Sequence, residues 1–441
     1  MPWRIPFRLY FLPLTMGVLY LIVGYFTSRE QSFQFLFLSF TLFGLSHLCL
    51  QKTSTNQILW QGLLFRAILL LSVPWLSQDF YRFIWDGLLL LNELNPYAFT
   101  PKELITKPHL FSPELTEVLY RNMGELSAGH YSNYPPINQF GFLLSVLWDS
   151  NSLLTSIISM RLLLIGADLG IFFLGKQLLK VFGFAEERIG WYFLNPLVMM
   201  ELTGNLHWEG MMLFFFVFGW WLYVKQKPWL SSLAFAFSIG TKLIPLLLVP
   251  VFVRFQSRKR SVLMACGGLI SLALLFLPFF KDIGLENYLA TLQLWFKNFE
   301  FNGSIYYIVR WIGYEAKGYN IIRQLGEVTP WILAMIVLLF SFLKVKKTAK
   351  EVFVAMLLLL SCYYFMASIV HPWYVINLVF LSLFTRFSFP LIWSAMVLLS
   401  YVTYAHPDFK ENYYLIGVEY GIVFGVLAYE LIKKKPLLQH F

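Results

Sequence analysis

Asp79, Arg82 and Asp86 stand in the stretch SQDFYRFIWDGLLLL, residues 77–91, directly after an apolar run. A carboxylate can take the proton of a hydroxyl nucleophile, and an arginine can hold a carboxylate or a phosphate. If 79–91 is helical, residues seven apart return to nearly one face, about 10.5 Å along the axis. The two acids then share a stripe with Arg82 between them, a charged face at a water–lipid boundary. Asn95-Pro96 predicts the turn that ends this helix.

Further polar residues sit inside or beside apolar runs. NPLVMMELTGNLHWEG, residues 195–210, supplies Glu201, Asn205, His207 and Glu209. A charge at the bilayer centre costs at least ~2.5–3.5 kcal/mol, so such groups face a bundle interior or a wet cavity. A purely structural interhelical network is the other reading. Lys242 lies in the middle of 229–254, a segment too long for one upright helix. The segment reads as two short helices meeting at Gly240-Thr241-Lys242, with irregular backbone facing a cavity. A snorkelling lysine belongs at a helix end; this position suits a fixed cation aimed at a phosphate. HYSNYPPI (130–137) places Tyr131 and Tyr134 at headgroup level before an extended Pro pair. FNGSIYY (301–307) and HPWYVI (371–376) add Asn302, Tyr306, His371, Trp373 and Tyr374. Asn302-Gly-Ser also reads as a glycosylation triplet, and His-Pro as a helix cap. Arg161 and Asp168, seven apart, are expected to pair within the bundle, and Arg66 has no evident partner. No His/Cys metal spacing, Gly-rich phosphate loop or Ser-His-Asp arrangement occurs.

The elements that must position these groups are membrane helices. The 441 residues are 58% hydrophobic and only 13% charged, with mean hydropathy +0.63, where a soluble domain would carry roughly a quarter charged residues. Several apolar runs exceed the ~18 residues that mark a spanning candidate. The expected fold is all-α: a polytopic transmembrane bundle of about 12–14 helices. Candidate spans are 9–27, 33–50, 59–76, 153–174, 189–205, 209–224, 261–280, 328–343, 352–369, 373–386, 388–405 and 413–432, with 137–149 interfacial. The first run follows Arg4 and Arg8 without a small-x-small cleavage site, so it reads as a retained anchor. The three cysteines all lie in apolar segments, which argues against a disulfide framework.

Placing the N-terminus in the cytoplasm collects Lys52, Lys176, Lys180, Arg188, Lys225, Lys227, Arg254, Arg258 to Arg260, Lys344, Lys346, Lys347, Lys350, Arg386 and Lys433 to Lys435 on one side. The net charge of +10 therefore records orientation rather than a nucleic-acid partner. Asp79, Asp86, His130, Glu201, Asn205, His207, Glu209, Lys242, Asn302 and His371 fall at the opposite, outer ends. The long connections 78–136 and 281–327 lie there too. One integral membrane domain is expected over 1–441.

An acid after an apolar span, Tyr-Arg-Phe-x-Trp-Asp-Gly (81–87), Asn-Pro-Tyr (95–97) and Tyr-Pro-Pro (134–136) together resemble the GT-C superfamily of polytopic glycosyltransferases. Within it the chain is most similar to the GPI mannosyltransferase I type and its bacterial mannosyltransferase relatives. The later pieces keep the order: Asn-Pro with Gly-Asn-x-His (195–207), Lys-x-x-Pro (242–245), Phe-Asn-x-Ser-x-Tyr (301–306) and the aromatic patch 371–374. The resemblance covers about 77–380, and residues 1–60 read as additional helices. The GPI enzymes carry paired acids just before the tyrosine, whereas here only Asp79 precedes Tyr81.

The resemblance implies transfer of a sugar, with mannose expected, from a polyprenyl-phosphate donor to a lipid or glycan acceptor. The site is then extracytoplasmic, in a bacterial cell (inner) membrane, with 78–136 as the catalytic loop and membrane lipids as the surroundings. A polyprenyl phosphate leaves without a general acid, so one carboxylate suffices, whereas glycosidases need two. Asp79 is the expected base of an inverting single displacement. Lys242, with Arg82 or His371, would stabilise the phosphate charge. Asp86, Glu201, Asn205 and His207 would hold sugar hydroxyls, Asn302 would join the substrate site, and Tyr134 and Trp373 would pack on a ring or prenyl tail. No cofactor is implied; a divalent metal is an alternative that no ligand spacing supports. The rival class is a transporter or flippase of lipid-linked sugars, which favours paired broken helices near the midplane; only one such pair occurs. An inactive assembly subunit would leave the polar constellation unexplained.

Overall fold

The computed structural model describes residues 7–51, 53–107, 112–280, 284–342, 348–405 and 408–438. Arg4, Lys52, Lys344, Lys346 and Lys347 of the charge count lie outside them, as do parts of the two long connections (108–111 and 281–283). Among the described residues the chain is helical, and its one β-like feature is an isolated bridge between Phe301 and Ile369. Among the described residues six helices are long and apolar enough to cross a membrane: Ser32–Leu50, Leu153–Val181, Arg258–Phe276, Ile322–Phe342, Ala349–Met366 and Tyr413–Lys433. Shorter apolar helices such as Glu209–Val224 and Phe389–Ala405 accompany them. This is a polytopic helical membrane protein.

Three helices carry site residues at one end and cations at the other. Glu209–Val224 runs from Glu209 to Lys225, Pro228–Thr241 from Lys227 to Lys242, and Val375–Ser382 from the His371–Tyr374 turn toward Arg386. The polar constellation and these cations therefore occupy opposite ends of the bundle.

Several expected spans are interrupted. The 59–76 run is helical only as Thr55–Ile68, and 388–405 is an α-helix, Phe389–Met396, continued by a 3-10 segment, Val397–Ala405. The 189–205 run breaks into four pieces and ends in a π-helical turn, Met199–Gly204. Pro196 causes one break: Asn195 is extended, and its side chain accepts from the Leu197 N–H at 2.9 Å. The break foreseen at Gly240-Thr241-Lys242 is present, with the helix ending at Thr241 and Lys242 extended.

The expected pairing of Arg161 with Asp168 is not made. Asp168 instead binds Arg66 at 3.0 Å, both fully buried, and accepts the Tyr192 hydroxyl at 2.9 Å. Residues seven apart share a face, but long side chains reach further across to neighbouring helices than along their own. Arg161 spans such a gap, donating to the carbonyls of Thr203 (2.6 Å), Leu70 (2.6 Å) and Gly204 (3.2 Å). It thereby satisfies the carbonyl end of the π turn, where a cation is electrostatically favoured.

The 78–136 connection is itself folded. Asp79–Leu91 and Pro113–Ala128 share a buried apolar core with Pro136–Val146, including Phe80, Trp85, Leu119, Met123 and Phe142. Gly87 sits so close to the Pro136–Val146 helix that a Cβ would meet the Phe142 carbonyl oxygen at 2.4 Å. Glycine sets this crossing, and with it the seat of Asp79.

Candidate active site

Asp79 is the first residue of its helix, where the helix dipole favours a negative charge. Its N–H donates to Ser77 Oγ at 3.3 Å, and its side chain keeps 36% of its surface open. The other carboxylates are closed: Glu201 and Glu209 in the site and Asp86 on the same helix retain at most 2%. Asp79 is the accessible carboxylate of this group.

Behind it stands His207. Its Nε2 lies 3.6 Å from Asp79 Oδ2 and its Nδ1 lies 2.9 Å from Glu201 Oε2. Glu201 also accepts from the Tyr401 hydroxyl at 2.6 Å and from Asn205 Nδ2 at 3.0 Å. The backbone that makes this arrangement is irregular. The π turn places Glu201 and His207 side by side, with the His207 N–H donating to the Glu201 carbonyl at 3.0 Å. Leu206 between them adopts φ 65°, a left-handed conformation that a branched residue holds only at a cost of ~1–3 kcal/mol. Insertions of this π type concentrate at functional sites.

The opposite wall comes from the helix break. Lys242 pairs with Glu209 and lies over the Tyr374 ring, 4.5 Å from its centroid. Asn138 fixes the break by donating to the Thr241 carbonyl at 2.7 Å. Trp373 stacks on His207 at 3.7 Å and on His371 at 4.3 Å, a sandwich because two rings that close cannot share one face. Phe301 pairs with the Ser368–Val370 backbone and its ring meets His371 at 5.0 Å, tying the 301 loop to this wall.

Charge follows from this geometry. Burial opposes ionisation of Asp79, but His207 beside it, with Lys242 nearby, holds its pKa below the usual carboxylate value. Burial would pull the His207 imidazolium down, yet Asp79 and Glu201 outweigh it and raise the ring to about 9. Burial dominates at His371, and with Lys242 and His207 close by it keeps that ring neutral, its pKa falling to about 3 despite Asp79.

Arg82 and Asp86 lie elsewhere. They pair with each other at 2.8 Å, both closed to solvent, instead of sharing an open stripe with Asp79. Asp86 Oδ2 accepts from Ser132 at 2.5 Å and Gln139 at 3.2 Å, while Arg82 donates to the carbonyls of Ser127 and His130. The pair fastens the 127–132 strand of chain to the helix and leaves neither group reaching a ligand. Tyr134 accepts the Tyr97 hydroxyl through its carbonyl at 2.6 Å and packs edge-on against Phe83. Asn302 is fully buried, donating to Glu419 at 3.1 Å, while its N–H binds Glu411; it joins neither the Asp79 group nor any accessible glycosylation surface. Among the described residues no three His, Cys, Asp or Glu side chains converge to hold a metal ion.

Tyr401 is the member least visible in sequence. Tyr401 lies 196 residues from Asn205 in an apolar run, and nothing local marks it. Glu209 has a local signal, an acid directly before an apolar helix.

The model of a family described as alpha-(1->6)-mannopyranosyltransferase, N-terminal domain, matches residues 11–258. No curated protein and no solved structure among those compared matches the chain. The matched residues are more than half of the chain and include Asp79, Glu201, His207, Glu209 and Lys242, whereas His371 and Trp373 lie beyond them. The match agrees with the GT-C resemblance of the motifs, and the chain belongs to the alpha-(1->6)-mannopyranosyltransferase family, a family of hexosyltransferases.

Proposed function

We propose that the protein transfers a mannosyl residue from a polyprenyl-phosphate donor to a hydroxyl of a lipid or glycan acceptor, with Asp79 as general base. The carrying observation is the open carboxylate of Asp79, ionised and facing a wall that holds Lys242. The acceptor oxygen attacks the anomeric carbon as its proton passes to Asp79, and the carbon–oxygen bond to phosphate breaks with its electron pair on the phosphate. A phosphate monoester leaves as an anion unaided, so a single carboxylate serves. Lys242 and a nitrogen of the neutral His371 ring would meet the developing charge. Tyr134 offers a half-buried ring to sugar or prenyl chain, and Trp373, with both faces covered by His207 and His371, offers only its edge. Single displacement inverts the carbon, so an α-(1→6) product, the linkage in the family's description, calls for a β-configured donor.

The active site faces the extracytoplasmic side of a bacterial inner membrane in this reading. The support is the cation count in the sequence, together with the opposition of site and cations along three helices.

The test is incubation of the purified protein in lipid nanodiscs with radiolabelled polyprenyl-phosphate mannose and membrane lipids. Label should move to a product cleaved by α-mannosidase, with polyprenyl phosphate released. Labelled GDP-mannose should give none. Movement of the intact carrier across a bilayer without transfer would replace the reading with a flippase.

A further inference from the structure

We propose that Glu201 and His207 form a positioning pair behind Asp79, in which Glu201 anchors the imidazolium through Nδ1 and the ring's Nε2–H orients the base. The proposal rests on the reading of Asp79 as base.

Both ring nitrogens face a carboxylate oxygen, at 2.9 and 3.6 Å. A neutral ring donating to Glu201 through Nδ1 could accept the Ser77 hydroxyl at Nε2, 3.4 Å away, but would turn that lone pair toward Asp79. The doubly protonated ring instead places a positive charge between the two carboxylates. Glu201 is fully buried, and its two oxygens receive His207, Asn205 and Tyr401. They have no open face for a sugar hydroxyl, so the pair serves the base and not the substrate.

The ring is also fixed in angle. Trp373 lies against it at 3.7 Å, Leu206 holds the strained backbone before it, and Arg161 closes the carbonyl end of the π turn. A ring held on three sides transmits the position of Glu201 to Asp79.

The groups facing this pair come from every neighbouring element. Ser77 lies 3.4 Å from His207 Nε2. Tyr401 and Tyr404 come from the 3-10 segment, and Arg29 lies over the Tyr404 ring. His371 and Lys242 complete the wall, and Lys242 is itself paired with Glu209. The nearest counter-charges to the ring are thus Asp79 and Glu201. The His207 pKa is raised from the ordinary 6.5 to about 9. The ionic contact is therefore complete below the ordinary value and lost as pH rises through about 9.

The test uses the full chain carrying 15N-labelled histidine, with the His207 resonance assigned by its loss in His207→Gln. His207 should stay charged to about pH 9, and Glu201→Gln should lower that midpoint by about one unit or more, since an adjacent carboxylate typically accounts for a shift of that size. In the transfer assay Glu201→Gln should lower kcat about 10-fold or more, part of the ~10²–10⁴ that a general base is worth, with donor KM nearly unchanged. The alkaline limb of kcat should move down with the NMR midpoint, and Glu201→Asp should return part of both.

A wild-type midpoint near the ordinary value, or one indifferent to Glu201→Gln, overturns the pair. A raised KM at unchanged kcat makes Glu201 a sugar contact and overturns it equally. If the NMR result holds while Asp79→Asn turns over normally, the base reading fails and the catalytic half of the proposal with it, the ion pair standing. Should Glu201→Gln fail to insert, the same titration on Glu201→Asp decides, because the shorter acid must still lower the midpoint.

Discussion

The two acids of the 77–91 stretch should separate cleanly when each is neutralised. Asp86 retains none of its surface, binds Arg82 at 2.8 Å and accepts from Ser132 and Gln139. Asp86→Asn keeps the shape and one acceptor but strands the Arg82 guanidinium, of which NH2 already has no partner. Removing one member of a buried pair typically costs ~3–5 kcal/mol. Purified Asp86→Asn should therefore melt on the order of 3–5 °C lower, with proteolysis appearing first near residues 127–132, the segment that Arg82 fastens. Asp79→Asn loses no comparable contact, since its carboxylate is a third open and its one close partner is His207 at 3.6 Å. Its Tm should stay within a degree or two, while transfer falls ~10²–10⁴-fold, the usual worth of a general base. Melting curves in detergent, read beside initial rates of mannosyl transfer, measure both. Asp86→Asn with a wild-type Tm and a raised donor KM would refute the structural reading of that pair. Turnover near wild type in Asp79→Asn would remove Asp79 from the chemistry.

Lys242→Met should lower turnover strongly and leave Glu209 buried without its cation; Lys242→Met with Glu209→Gln should recover stability but not rate, and recovery of both would return the lysine to a structural role. Arg66→Met and Asp168→Leu should each destabilise by ~3–5 kcal/mol, whereas the double variant should lie close to wild type, because two apolar groups replace a pair whose desolvation was costly; double-mutant cycles on Tm check it, and additive losses would refute it. In a cysteine-free background, Lys102→Cys should react with an impermeant thiol reagent added outside intact cells and Lys227→Cys should not; the reverse pattern would invert the assigned face.

The sequence by itself determined the chemistry of the elements. Apolar run length set the membrane class, because lipid admits only backbones whose polar groups are paired internally. Pro196 and the Gly240-Thr241-Lys242 break declared themselves, since a missing N–H or a mid-span lysine acts locally. The helix entertained over 79–91 is formed as Asp79–Leu91, and the motifs of the GT-C resemblance stand in order along the chain.

Tertiary structure decided which polar groups meet. Asp79 and Asp86 look equivalent on one helix, yet one opens to the site and the other closes on Arg82. Arg161 and Asp168 share a face but not a bond, because each finds its partner on another helix: Asp168 takes Arg66, 102 residues away. Glu201 reads in the sequence as a sugar ligand, and in the structure Tyr401, 200 residues distant, shares its oxygens with His207 and Asn205. In a bundle with little water, every buried charge must be satisfied by whichever neighbour the packing brings within about 3 Å. Periodicity along one helix says which way a side chain points; it carries no information about what another helix, hundreds of residues away, places opposite it.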